Sequence, residues 1–184
     1  MANHRTYSSF KYEDLVDLGV SLKSKKLFGE IKSSEPSTWL NQTFDINKNA
    51  PMDTEKAKSE LIVVPILNEL KLKNPNTFNF FSGYNFDVDK ARGLKGHCDF
   101  LLSANVDSPI IDAPIFSIVE AKNADISLGI PQCIAEMVAA RMFNEKKNNQ
   151  IGKIYGAVTN GDFWKFLELD GGTVYQDTDR KSVV

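Results

Sequence analysis

Three charged residues near the middle of the chain have types and a spacing suited to metal-assisted hydrolysis. Glu120 and Lys122 are two positions apart at the end of the apolar run Ile115 to Ala121, and Asp99 opens another apolar run. Residues two apart on a strand point to the same face, so these two side chains are predicted to lie side by side. Two carboxylates and a lysine at the end of a sheet cost desolvation free energy unless a cation compensates them.

The chemistry that this set supports is hydrolysis of a phosphodiester. Mg²⁺ prefers oxygen ligands, keeps several waters, and is commonly held by one or two carboxylates together with a substrate phosphate. The bound metal activates water and neutralises charge on the phosphate, while a lysine positions or deprotonates that water or stabilises the transition state. We therefore predict Asp99 and Glu120 as ligands of Mg²⁺, with Mn²⁺ as a substitute, and Lys122 as a catalytic group.

The hydrophobic patterning predicts the elements that position these residues. Thr54 is a good N-cap for a helix that runs to Leu70, and Pro131 suits the first turn of a second helix, Gln132 to Lys146. Alternating and apolar runs predict strands at Phe78 to Phe86, Phe100 to Ser103, Ile115 to Ala121, Ile154 to Thr159 and Phe163 to Leu169. Asn160-Gly161 predicts a hairpin turn between the last two strands. The order indicates an α/β domain with a mixed central β-sheet flanked by helices.

The first part of the chain is predicted to be an extension of this domain. Leu15, Leu18 and Leu22 have helical spacing and predict a helix near residues 12–26. Residues 33–53 are rich in Ser, Asn, Pro and Asp and predict a connecting loop. We therefore expect a helical extension and loop over residues 1–50 and the main domain over residues 51–184.

Two segments together resemble the core of the PD-(D/E)XK nuclease superfamily, which includes restriction endonucleases and many DNA-repair and phage nucleases. They are Gly96-His97-Cys98-Asp99-Phe100-Leu101-Leu102 and Phe116-Ser117-Ile118-Val119-Glu120-Ala121-Lys122. The resemblance covers roughly Thr54 to Leu169. It implies a restriction-endonuclease-like core with helices and strands in the order α-β-β-β-α-β, and Mg²⁺-dependent cleavage of DNA in restriction, defence or repair. RNA is the alternative substrate, and cleavage of both DNA strands would require a homodimer.

The resemblance also implies roles for particular residues. Asp99 and Glu120 match the metal-binding carboxylates, and Lys122 matches the catalytic lysine. The family often has a further acid on its first helix, for which Glu60 is the best match, with Glu55 and Glu69 as alternatives. Gln132 matches the glutamine that many members place on the helix after the lysine strand. Two positions depart from the family pattern, because Cys98 replaces the motif proline and Glu136 stands where a tyrosine is often found.

Composition excludes several other classes of protein. A net charge of −2 and a pI of about 5.7 are unlike those of a protein that coats DNA. The two cysteines and two histidines match no zinc motif, so Cys98 and Cys133 are expected to be buried and reduced. No apolar run reaches the roughly 18 residues that span a bilayer, and residues 1–10 lack the apolar core of a signal peptide. We expect a cytoplasmic protein without a membrane partner.

Two alternatives to catalysis remain open at the level of sequence. The first is a catalytically silent restriction-endonuclease-like fold that acts as a nucleic-acid or protein-binding module. The second is a structural domain in which the Glu-x-Lys triplet is a coincidental surface salt bridge. The complete set of Asp99, Glu120 and Lys122 favours the catalytic interpretation, because a silent site has no reason to keep buried charge.

Overall fold

A mixed β-sheet organises the computed structural model, which describes residues 5–179 and the backbone of residues 181–182. Its strands are β1 (Ser21–Lys25), β2 (Asn79–Asn85), β3 (His97–Ser103), β4 (Ile115–Ala121), β5 (Lys153–Thr159), β6 (Phe163–Asp170), β7 (Thr173–Asp177) and β8 (Lys181–Ser182). The strand order is β1-β7-β6-β5-β4-β3-β2, and β8 pairs with β6. The pairs β1/β7 and β4/β5 are parallel, whereas the other pairs are antiparallel.

Helices pack on both faces of this sheet. They are α1 (Thr38–Asn47), α2 (Glu55–Lys58), α3 (Val64–Lys73) and α4 (Gly129–Lys146), with 3₁₀ turns at Tyr7–Ser9, Tyr12–Leu18 and Ile126–Leu128. The larger apolar core lies between α4, the N-terminal residues and one sheet face, and includes Leu101, Ile118 and Ile134. The smaller core lies between α3 and the other face, and includes Leu67, Phe100 and Val119. The predicted α/β class, with a mixed sheet flanked by helices, is confirmed.

The helix α4 is the central element of the larger core. Every residue from Gly129 to Ala140 is buried. Within residues 5–179, the stretch Ile126–Lys146 alone is long and apolar enough to cross a membrane. However, 72% of its most apolar part is buried inside the domain, and the core helix of a globular domain has the same property.

The helix predicted near residues 12–26 is wrong. A 3₁₀ turn covers Tyr12–Leu18, and the chain then extends into β1, which pairs with β7. Tyr7 is 1% exposed, and its hydroxyl donates a hydrogen bond of 2.6 Å to the carbonyl of Phe86. These N-terminal residues therefore belong to the core of the sheet domain rather than to a separate extension.

The helix predicted from Thr54 to Leu70 forms in three parts. A π-helical turn, Ser59–Val63, separates α2 from α3, and Pro65 lies in the first turn of α3. Proline has no N–H to donate to the carbonyl four residues earlier, and the Leu61 carbonyl instead accepts a hydrogen bond of 3.1 Å from the side chain of Asn47. Because a π-helical turn departs from the α-helical period, residues before and after it do not follow one continuous helical face.

The predicted strands after this helix are confirmed, with small differences at their ends. Strand β3 begins at His97 rather than at Phe100, so Asp99 lies inside a strand. The hairpin between β5 and β6 is also confirmed. The sequence patterns did not identify β1, β7 or β8, and the loop predicted over residues 33–53 is wrong in part, because helix α1 lies within it.

Candidate active site

The candidate site lies where strands β3 and β4 stop pairing. The last paired residues at this end are Phe100 and Val119, and the next step of the register places Asp99 opposite Glu120. The Asp99 carboxylate accepts a hydrogen bond of 2.8 Å from the backbone N–H of Ala121. This bond holds the Asp99 side chain against the end of β4, next to the Glu-x-Lys triplet.

The strand on the other side of β3 leaves space around Asp99. The β2–β3 ladder pairs Ser82 with Phe100 and Tyr84 with Cys98, so Gly83 stands opposite Asp99. Gly83 has a φ of +61°, which other residues adopt only with strain. An open groove of about 220 Å³ lies between α2 and Gly83 of β2, and Asp99 is part of its lining. Asp99 is therefore reachable from solvent by a ligand.

Glu120 is more deeply buried than Asp99. Its side chain is 1% exposed, and one carboxylate oxygen accepts a hydrogen bond of 2.5 Å from the Lys122 ammonium. The other oxygen, Oε2, has no hydrogen-bond partner among the described residues. Burial, followed by the charge of Asp99, raises the pKa of Glu120 to about 8. Burial also raises the pKa of Asp99.

These properties fit a hard divalent cation. A buried carboxylate oxygen without a partner is costly, and a cation next to it would remove that cost. The residues that the structure describes contain no group of three or more His, Cys, Asp or Glu side chains arranged to hold a metal. Asp99 and Glu120 would thus be the protein ligands, and two carboxylates are the number with which Mg²⁺ is commonly held when substrate phosphate and water complete its shell.

Lys122 connects this pair of acids to helix α4. Its ammonium donates to Glu120 and, at 3.2 Å, to the side-chain oxygen of Gln132. Burial by itself lowers the pKa of Lys122, but the charges of Glu120, Glu55 and Asp99 outweigh it and the pKa is raised. Lys122 is therefore an ammonium at neutral pH, which can stabilise negative charge but cannot accept a proton.

The start of α4 lies directly against the Lys122 side chain. A Cβ atom on Gly129 would stand 3.0 Å from Lys122 Cγ, 3.1 Å from Lys122 Cε and 2.7 Å from a methyl group of Val158. A side chain at this position would displace the aliphatic part of Lys122. Gly129, which sequence reasoning did not identify, thus sets how closely α4 approaches the site.

Gln132 and Glu136 lie one turn apart on α4, and both are buried. The Gln132 side-chain N–H donates a hydrogen bond of 3.1 Å to Glu136 Oε1. Through its hydrogen bond with Lys122, Gln132 is connected to the site. Glu136 is the next residue in the same chain of contacts.

The acid supplied by the first helix differs from the first choice made from the sequence. Glu60 lines the same open groove as Asp99, but its side chain is 59% exposed and forms an ion pair of 3.2 Å with Lys56. Glu55 is the helix residue whose charge acts on Asp99, Glu120 and Lys122. The structure therefore favours Glu55 over Glu60, because Glu60 lies in the π-helical turn and is largely exposed.

Glu69, the other alternative, has a structural role. It is 6% exposed and accepts hydrogen bonds from the backbone N–H and the hydroxyl of Ser37, at 2.8 and 2.5 Å. Ser37 is also the N-cap of α1, so Glu69 attaches α1 to α3. The hydrogen bond from Ser37 is the main reason that the pKa of Glu69 is lowered.

The helix α2 is held over the site by contacts with the loop that follows Lys122. The Lys58 ammonium donates a hydrogen bond of 2.5 Å to the backbone carbonyl of Asn123. The Asn123 side chain donates one of 3.0 Å to the carbonyl of Asp53, just before α2. These bonds fix the position of Glu55 relative to the sheet.

His97 and the two cysteines, which match no zinc motif in the sequence, do not join the site. His97 is exposed at the start of β3. Cys98 and Cys133 are free and buried, and burial raises the pKa of both thiols. His4 lies outside the described residues. Both cysteines are in the reduced, buried state that the sequence predicted.

A scan against protein-family models found no family that matches this chain, and a search of curated proteins found no similar sequence. Function is therefore inferred from the geometry of the site and from the motif that the site residues form.

Proposed function

We propose that this chain is a Mg²⁺-dependent nuclease that hydrolyses phosphodiester bonds of DNA, with a restriction-endonuclease-like core of the PD-(D/E)XK type. One observation carries the proposal: Asp99, Glu120 and Lys122 converge where β3 and β4 separate, and a buried oxygen of Glu120 has no partner among the described residues. This oxygen belongs to a carboxyl group that stands opposite a second one, that of Asp99, and two carboxyl groups kept together in this way are best explained by a cation that binds between them.

Each residue of the site has a distinct role in this proposal. Asp99 and Glu120 would hold Mg²⁺, which when bound supplies an activated water and neutralises charge on the phosphate. Lys122, as an ammonium, stabilises the negative charge that develops on the phosphate oxygens. Gln132 accepts a hydrogen bond from Lys122 and keeps the ammonium between α4 and Glu120. Glu55 adds negative charge beside the two ligands.

The charge around the groove bears on how the substrate approaches. The groove is lined by three acidic side chains, Glu55, Glu60 and Asp99, and by the basic side chain of Lys56. An acidic groove repels a phosphate backbone unless a divalent cation is bound, so DNA binding should depend on the metal. The net charge of −2 gives no general attraction for nucleic acid.

The test is cleavage of defined substrates by the purified protein. Supercoiled, linear and single-stranded DNA and RNA are incubated with Mg²⁺, with Mn²⁺ or with EDTA. We expect cleavage of DNA with either metal and none with EDTA, and loss of cleavage in Asp99→Asn and Glu120→Gln. Glu168→Gln is a matched control, because Glu168 is also a nearly buried glutamate but lies on β6, paired with Lys153. Cleavage that persists in Asp99→Asn would show that another protein or another site is responsible.

A second candidate function is a catalytically silent module that binds nucleic acid or protein. The observation in its favour is the close contact of Lys122 with Glu120, which balances one carboxylate without a metal. Thermal melting separates the two candidates. A metal-binding site predicts that Mn²⁺ raises the melting temperature of the wild type but not that of Glu120→Gln, whereas a silent module predicts no change in either protein.

A further inference from the structure

Glu136 is a buried acid that the proposed chemistry does not use. It lies inside α4 with 0% exposure, in the larger core. One carboxyl oxygen accepts the hydrogen bond from Gln132, and the other has no partner among the described residues. Carboxyl groups are almost never fully buried unless they are paired, so this residue requires an explanation.

Four side chains form a continuous polar series from β4 into α4. The Lys122 ammonium donates to Glu120 at 2.5 Å and to the Gln132 oxygen at 3.2 Å, and the Gln132 nitrogen donates to Glu136 at 3.1 Å. Each contact in the series joins a donor to an acceptor. The series ends at Glu136, inside the protein.

The side-chain amide of Gln132 has two different ends, and only one orientation suits both neighbours. A half-turn of the amide would bring its NH₂ group to the Lys122 ammonium and its oxygen to the Glu136 carboxyl oxygen. The contact with Lys122 would then be repulsive, because a lysine ammonium has no acceptor, and the contact with an ionised Glu136 would be repulsive as well, because both oxygens would be acceptors. An ionised Glu136 therefore selects the observed orientation by itself, and a protonated Glu136 still accepts the Gln132 N–H through its carbonyl oxygen in the orientation that Lys122 requires.

We infer that Glu136 is a positioning residue: it fixes the amide of Gln132 so that the Gln132 oxygen faces Lys122 and holds the ammonium in place for catalysis. This inference rests on the proposed nuclease function for its catalytic consequence. Glu136 is fully buried and cannot touch a substrate, so its effect on the reaction is exerted through Gln132 and Lys122.

The first measurement is independent of activity and uses the metal-free protein. In the ¹⁵N-labelled chain, the side-chain NH₂ signals of Gln132 are assigned by their absence in Gln132→Ala. We expect a hydrogen-bonded proton shift in the wild type, its loss in Glu136→Met, and its retention in Glu136→Gln, which keeps an acceptor oxygen. The exposed Gln42 serves as an internal reference. Glu136→Leu is a second apolar variant should the methionine variant fold poorly.

The second measurement is cleavage of the same DNA by the same variants with Mn²⁺. Loss of a side chain that orients a catalytic group typically costs about 10- to 100-fold, so kcat should fall by that factor in Glu136→Met. KM should not change, because the substrate does not reach Glu136. Glu136→Gln should restore most of kcat, and Glu168→Gln on β6 should behave as the wild type.

The two measurements distinguish the failure of this inference from the failure of the proposed function. Gln132 signals that are the same in Glu136→Met and in the wild type would overturn the inference, whatever the activity. An unchanged kcat in Glu136→Met, with an active wild type, would also overturn it. A wild type that cleaves nothing, with Gln132 signals that depend on Glu136, would refute the nuclease function but leave the orientation of Gln132 by Glu136 established.

Discussion

The burial of Glu120 predicts that the metal-free protein loses stability as the pH rises. The pKa of this carboxyl is about 8 in the folded protein, against an ordinary value of 4.5, because of burial and then the charge of Asp99. A raised folded-state pKa means that the folded protein retains a proton that the unfolded chain has released. The contribution of Glu120 is therefore most favourable below pH 4.5 and is lost as the pH rises through about 8.

The size of this loss follows from the same two values. One unit of pKa shift corresponds to about 1.36 kcal/mol, so the interval from 4.5 to about 8 amounts to about 5 kcal/mol as an upper limit. Glu120→Gln removes this titration but keeps an oxygen that can accept the hydrogen bond from Lys122. The pKa values of Asp99 and Glu136 are also raised, and because the charge of Glu120 contributes to the shift of Glu136, the variant relieves part of that shift and gains stability at high pH in the same direction.

The assay is urea or thermal unfolding of both proteins in EDTA from pH 5 to pH 9. The two free energies of unfolding should be similar at pH 5, and the variant should be more stable by a few kcal/mol at pH 9. In a domain of this size about 1 kcal/mol shifts the melting temperature by roughly 2–4 °C, so the difference should be on the order of 10 °C. Glu168→Gln should show no such gain, because it loses its ion pairs with Lys25 and Lys153. A stability difference between the wild type and Glu120→Gln that does not change from pH 5 to pH 9 would refute the reasoning.

Three further substitutions test other parts of the site. Lys122→Ala should lower cleavage by on the order of 10²–10³ while Mn²⁺ still raises the melting temperature, and unchanged cleavage would rule out a catalytic lysine. Glu55→Ala should reduce kcat/KM on the same DNA more than Glu60→Ala, and the reverse order would restore the choice made from the sequence. Gly129→Ala should reduce cleavage and destabilise the fold by about 1–3 kcal/mol through overpacking, whereas Gly152→Ala, where a Cβ meets no atom within 4 Å, should do neither.

The local pattern of apolar and polar residues was enough to predict the central part of the fold. The apolar run Ile115 to Ala121 is a strand with the predicted bounds. Its period of two places Glu120 and Lys122 on one face, where the Lys122 ammonium donates a hydrogen bond to Glu120. The strand that follows Asp99 was also predicted, as was the helix that brings Gln132 to Lys122. These features depend on residues close together in the chain, whose spacing decides which way each side chain points.

The features that sequence patterns missed depend on contacts between distant segments. Strand β1 has an exposed, lysine-rich sequence, and it is a strand because β7 lies beside it. The charge of Glu55 acts on the site, whereas Glu60 lies in the π-helical turn and pairs with Lys56 at the surface. The burial of Glu136 and the close approach of Gly129 to Lys122 likewise follow from the packing of α4 on the sheet. The sequence determined which groups could do the chemistry, whereas packing between distant segments decided which of them meet, because a shift of one residue turns a side chain away from its partner.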